Sequence, residues 1–121
     1  MINNTTIPQT GQIWMANLPK HSDTSSVQWG CRPVVLVGNK ISCRTSPCVC
    51  VVPCTSKLRK SPLPTHVMLK DIPGLPRTSL ALCEQIITLD KSNLVSCLGK
   101  IENPDVREKL LRAMKIQLAM I

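Results

Sequence analysis

Apolar and polar positions change rhythm several times along this chain, and each rhythm predicts an element. Gln12–Leu18 (QIWMANL) mixes the two kinds of residue as a first strand does. Pro19 to Gly30 is polar and rich in Ser, Asp and Thr. A connection that long with no period of its own serves function more often than packing. Pro33–Val37 (PVVLV) is a β-branched run stopped by Gly38-Asn39, a strand followed by a turn signal. Cys48–Val52 (CVCVV) is a second such run; Pro53 has no N–H to give a ladder, so the strand is an edge or is bulged there. Thr55 and Ser56 follow where the chain leaves the sheet, and then comes a basic loop from Lys57 to Pro62, closing at Pro64. Thr65–Lys70 alternates like a half-buried strand, Ser79–Leu89 reads as one further strand, and Leu94–Lys100 as a short last one.

The period then shifts to that of a helix. Val106, Leu110, Ala113, Met114, Leu118 and Ile121 recur at three- and four-residue steps and make one apolar face. Asn103 suits the N-cap and Pro104 the first helical position. Strands first and a terminal helix last predict a mainly β protein with α: a small antiparallel barrel or curled sheet with the C-terminal helix packed on it. The 121 residues suit one domain, taken as 11–121, with 1–10 a loose polar lead-in.

Composition narrows the core rather than the fold. Phe and Tyr are absent and only Trp14 and Trp29 are aromatic, so Val, Ile, Leu, Met and Cys must fill the interior. Trp14, on a strand, reads as core. The start, MINNTTIPQT, has no basic stretch followed by an apolar one, and no apolar run approaches a membrane span. Seven cysteines without a C-x-x-C pair read as small hydrophobes in a reducing cytoplasm. A zinc site from Cys48, Cys50, Cys54 and a His is conceivable, but the spacing fits no common finger or ribbon.

Charge changes the picture more. The net charge is +8, and residues 1–70 hold eight basic groups against a single acid, Asp23. Residues 71–121 hold seven against six. A one-sided excess of cations is the electrostatic footprint of a polyanion partner. Two-metal nuclease chemistry needs clustered carboxylates, which the first 70 residues lack. No G-x-S-x-G is present and nothing singles out one cysteine as a nucleophile.

Five strings line up with one known family: Gly11–Pro19 (GQIWMANLP), Gly30–Val37 (GCRPVVLV), Val51–Ser56 (VVPCTS), Leu63–Val67 (LPTHV) and Glu84–Lys91 (EQIITLDK). In this order and spacing the chain resembles the MazF/PemK toxins from residue 11 onward. The resemblance implies an SH3-like barrel of the CcdB/PemK kind. It also implies a cytoplasmic homodimer that binds single-stranded RNA across its interface and cuts it at preferred sequences without metal or other cofactor. A MazE-like protein antitoxin would neutralise it and bind DNA together with it. The arginine of the G-x-R-P string and the threonine after the central strand carry the family's chemistry; here they are Arg32 and Thr55. One position departs from the pattern. The loop that typically reads S-E-Q-x-G is Ser26-Val27-Gln28-Trp29-Gly30 here, with Val27 in place of the acid.

Metal-free cleavage can use the RNA's own 2′-hydroxyl as nucleophile, which leaves the protein to stabilise charge and move protons. Arg32 offers a planar cation for a phosphate, and its very high pKa makes it a stabiliser rather than a proton carrier. Thr55 offers a hydroxyl. Ser26, Gln28 and Ser56 are second-tier RNA contacts, Trp29 is suited to stack on a base, and Lys57, Arg59 and Lys60 to grip the backbone. His66 has the intrinsic pKa for proton transfer, and Glu84 joins it as a candidate if the fold brings it to Arg32. The rival readings are a CcdB-like toxin that binds gyrase and cleaves nothing, and a nucleic-acid-binding barrel without activity.

Overall fold

Strand β2, Gly30–Val37, shows why the molecule has two cores. Its last four residues are all buried, and they alternate between faces: Val35 and Val37 join one apolar cluster, Val34 and Leu36 the other. A strand covered on both faces needs no polar alternate positions, which is why PVVLV is unbroken in the sequence. Strand β3, Cys48–Thr55, divides in the same way, with Val52 and Cys54 on one side and Val49 and Val51 on the other. The computed structural model describes residues 7–22, 26–58 and 62–121. Residues 1–6 of the lead-in, Asp23, and Arg59, Lys60 and Ser61 of the basic loop lie outside these.

Around β2 and β3 stand β1 (Gln12–Leu18), β4 (His66–Leu69), β5 (Ser79–Leu82), β6 (Ile87–Asp90) and β7 (Leu94–Lys100). All pairings are antiparallel, in the order β4-β5-β3-β2-β1-β7, with β6 also on β3. The strand expected over Ser79–Leu89 is two strands, broken by a 3₁₀ turn at Cys83–Gln85. Both halves run along the same edge of β3: β5 opposite Cys54 and Thr55, β6 opposite Cys48 to Val51. The break falls beside Val52 and Pro53, where the ladder lacks a proline N–H, so β3 is a central strand with an interrupted partner rather than an edge.

The expected barrel does not close. Edges β4 and β7 are not paired with one another. In place of a ladder, the segment after β4 lies against β7, backbone to backbone. A Cβ on Gly74 would overlap the Leu98 carbonyl, and one on Gly99 would overlap the carbonyl of Pro73. Gly74 has φ +90°, a conformation open chiefly to glycine. The curled-sheet form of the expectation therefore holds.

Helix α2, Pro104–Gln117, covers the first cluster with Leu110 and Ala113, flanked by Val106 and Met114. Asn103 caps it as expected, its side chain accepting the Asp105 N–H at 2.8 Å. The expected apolar face runs past the real helix, because Ala119 at φ 55° reverses the chain and Met120 N–H bonds back to the Lys115 carbonyl. That leaves Leu118 and Ile121 exposed beyond the end. After Gly38 the turn signal proves to be a cap. Asn39 accepts the Ser42 N–H at 2.8 Å and starts a short helix, α1, Lys40–Thr45, which seats Cys43 in the second cluster. Trp14 is buried there, as expected. Among the described residues no helix is long and apolar enough to cross a membrane.

The cysteines act mainly as filling. Cys48, Cys50 and Cys54 are strung along β3, so six residues of extended chain hold the outer two about 20 Å apart. Burial pushes the thiols of Cys54 and Cys83 up to about 12 from an ordinary 9.0; each also feels a neighbouring group, Cys83 for the first and Glu84 for the second. Their protonated burial favours the fold fully below pH 9, and that contribution is lost as pH rises toward 12. In the native protein near pH 8, a thiol reagent is expected to modify exposed Cys31 and Cys48 quickly, and Cys54 and Cys83 only after denaturation. Peptide mapping of the labelled protein reads this out; fast labelling of Cys54 would contradict the packing.

Candidate active site

Of the residues singled out by type, Arg32 lies where β2 begins and Thr55 where β3 ends. Leu18 pairs with Gly30, closing the long β1–β2 loop, and Gly30 enters β2 at φ +81°. Two residues on, Arg32 is half-buried and pairs with Ala16. Its Nε donates to the Trp29 carbonyl at 2.7 Å. That bond holds the guanidinium against the loop and leaves the terminal N–H groups for another acceptor.

Strand β3 arrives beside it from the other direction. The β2–β3 register pairs Val34 with Pro53. Carried two residues further, the same register sets Arg32 across from Thr55, and opposed residues of an antiparallel pair share a face. Thr55, the last residue of β3, accepts the Lys57 N–H on Oγ1 at 3.1 Å. Since that bond uses only a lone pair, the hydroxyl proton remains available to donate.

A recess of about 180 Å³ opens here, lined by Cys31, Arg32 and Ser56 and, from the β4–β5 segment, by Arg77 and Ser79. Thr55 is not in its wall, though its neighbours Cys54 and Ser56 are. No carboxylate lines it among the described residues. Its lining therefore carries two arginines and two serines, residue types suited to an anion.

Gln85 fixes the loop above. Its Oε1 accepts the Gln28 N–H at 2.8 Å and its Nε2 donates to the Ser26 carbonyl at 3.4 Å. One amide thus reads both a donor and an acceptor of the loop, from the 3₁₀ turn that interrupts β5 and β6. Sequence reasoning quoted Gln85 within a string but gave it no role. It gave none to Arg77 either, one of seven cations in the charge-balanced part of the chain. Trp29 is 48% exposed, with Lys20 Nζ 4.8 Å from its ring centre. Ser26, Ser56 and Lys57 are exposed and Gln28 half-buried. Arg59 and Lys60 lie outside the described residues.

His66 and Glu84 are engaged with each other. One Glu84 oxygen accepts from Thr65 Oγ1 at 3.0 Å and the other meets His66 Nε2 at 2.9 Å. His66 Nδ1 accepts the Leu63 N–H at 3.0 Å, so the ring proton of a neutral His66 sits on Nε2, pointing at Glu84. These bonds brace the turn that leads into β4. Among the described residues no hydrogen bond or ion pair joins either group to Arg32.

A curled antiparallel sheet with one terminal helix and an arginine-lined recess at a strand end defines a small, mainly β protein of the open-barrel kind. Residues 9–118 match the PemK-like, MazF-like toxins of type II toxin–antitoxin systems, and the chain belongs to that family. It is 34% identical over 116 residues to the endoribonuclease EndoA of Bacillus subtilis strain 168, covering 95% of this chain and 97% of that one. A mycobacterial endoribonuclease solved in complex with its cognate antitoxin superposes with a TM-score of 0.75 at 26% identity, covering 94% and 97% of the two chains. MazF from Deinococcus radiodurans superposes at 0.79 with 20% identity, covering 95% and 99%. At that identity the likeness is one of fold.

Proposed function

We propose that this protein is an endoribonuclease toxin that cuts single-stranded RNA at preferred sequences, without metal, and is neutralised by a protein antitoxin. The observation that supports the reading is the β2–β3 register: continued two residues past the Val34–Pro53 pair, it sets Arg32 opposite Thr55. Family membership and the curated endoribonuclease relative support the activity; the site supports how it works.

In the proposed step, the 2′-oxygen attacks the adjacent phosphorus as its proton leaves. The P–O5′ bond then breaks, and O5′ takes up a proton. The products are a 2′,3′-cyclic phosphate and a 5′-hydroxyl, so no outside nucleophile or oxidant is consumed. Negative charge grows on the phosphoryl oxygens, where a pre-placed guanidinium contributes most. Arg32 fills that role, and Thr55 donates its hydroxyl proton to the same group. Val27 brings no titratable group to the loop, and His66 with Glu84 supports the neighbouring turn. Ser26, Gln28, Trp29, Ser56 and Lys57 are placed in this reading as RNA contacts, joined by Arg59 and Lys60 of the basic loop. The protein acts as a homodimer in the cytoplasm.

The test is a long single-stranded RNA incubated with purified protein in EDTA, with the fragment ends sequenced. Cuts at a recurring short motif, ending in 2′,3′-cyclic phosphate, are expected. Thr55→Ala should lower the rate by about 10²-fold, the effect of removing one donor to a developing oxyanion. Intact RNA would sink the catalytic reading and favour a toxin that acts by binding alone. Full activity in Thr55→Ala would remove that residue from the site.

A further inference from the structure

Arg77 belongs to no pattern the sequence singles out, yet it shares the recess with Arg32. It arrives there on a built segment rather than a loose one. Ile72 is buried in the first apolar cluster, and Leu75 N–H bonds back to the Ile72 carbonyl at 3.0 Å. Gly74 is pressed against β7, and Ser79 Oγ donates to the Arg77 carbonyl at 3.1 Å. Four separate restraints therefore set the backbone of one exposed arginine.

The chemistry of the recess is one-sided. Arg32 from β2 and Arg77 from the β4–β5 segment both line this space, and no carboxylate lines it among the described residues. Neither arginine is in an ion pair among those residues. Like charges set together with no counter-charge repel, and the repulsion is relieved when an anion lies between them. The space is about 180 Å³, below the roughly 300 Å³ at which pockets begin to enclose drug-sized ligands. One phosphodiester group fits such a volume; a whole nucleotide does not.

Resting on the cleavage reading above, we propose that Arg77 is a second cation on the phosphate that is cut, holding it together with Arg32. Two planar forks from different elements constrain a phosphoryl group in position and rotation, which a single fork leaves partly free. In the transition state the group gains negative charge while the 2′-oxygen bonds to phosphorus and the bond to O5′ lengthens. Arg77 then binds the transition state more tightly than the ground state, and its effect belongs to kcat. A cation on a flanking phosphate would instead act on KM and on the salt dependence of binding.

The experiment compares wild-type protein, Arg77→Gln and Arg77→Lys on one RNA oligonucleotide that the wild type cuts, with sulfur replacing each non-bridging oxygen of the cut phosphate in turn. Arg77→Gln should lower kcat by about 10²-fold with little change in KM and an unchanged unfolding midpoint. Arg77→Lys should recover part of the loss, since it keeps the charge and not the fork. One of the two sulfur substitutions should slow the wild type and slow Arg77→Gln much less. Wild-type cleavage with undiminished kcat in Arg77→Gln would overturn the assignment and leave the cleavage reading standing. So would a loss confined to KM, which moves Arg77 to a neighbouring phosphate. A wild type that cuts nothing would overturn both.

Discussion

Arg32→Ala is expected to leave the protein folded and to lower RNA cleavage by about 10³-fold or more, close to 4 kcal/mol of transition-state stabilisation. The magnitude follows from position. Arg32 lines a space with no carboxylate in its lining among the described residues, and its Nε is already tied to the Trp29 carbonyl, so the guanidinium is held before substrate arrives. Pre-aimed donors need no reorganisation as charge develops, which is where electrostatic catalysis gains most. Stability depends on the residue far less. The side chain is half-buried, and the hydrogen bond given up is worth about 1 kcal/mol. Thermal unfolding beside the cleavage assay separates the two effects. A variant that unfolds would return the residue to a structural role, and one that cuts at the wild-type rate would remove it from the chemistry. Arg32→Lys should fall between, because an ammonium supplies charge without the two-pronged geometry.

Gly74→Ala should have the largest effect on stability, with a loss of roughly 3 kcal/mol or more and a fall in the unfolding midpoint on the order of 10 °C. Two costs combine there. The φ of +90° strains any residue with a Cβ, and the new methyl would overlap the Leu98 carbonyl, which is backbone and cannot rotate away. Gly30→Ala separates the two. It carries a similar φ, +81°, but nothing lies within 4 Å of its Cβ position, so only the strain remains, about 1 kcal/mol. If both variants lose the same amount, the close approach of the β4–β5 segment to β7 is not what holds the open edges together. The segment also carries Arg77, so Gly74→Ala should lower kcat even in the fraction that stays folded.

Local order was largely legible. Gln12–Leu18 and Leu94–Lys100 match their expected bounds, because apolar periodicity within a strand records which side meets the core. The start of α2 was equally plain, since Asn103 and Pro104 satisfy the first N–H groups by themselves. The break inside Ser79–Leu89 was not legible. Its flanks are mainly apolar, and the interruption at Cys83–Gln85 falls beside Val52 and Pro53 on the strand alongside, partners distant in sequence. Helix α1 was hidden because Gly38-Asn39 serves a turn and a helix cap equally well.

At the site, chain order could name Arg32 and Thr55 through a resemblance, and charge bias could point to a polyanion. It could not find Gln85, whose task is to hold a loop 57 residues earlier in the chain. Nor could it find Arg77, which matters only because Gly74 fits flat against β7 and turns the segment back toward β2. Sequence by itself determined the elements, the caps, the apolar faces and the family, since each rests on neighbours within a few residues. Tertiary structure decided that the sheet stays open, that His66 and Glu84 bind each other, and that two arginines 45 positions apart line one recess. Those outcomes depend on backbone approach and side-chain direction between distant strands, and no local pattern of residues encodes either.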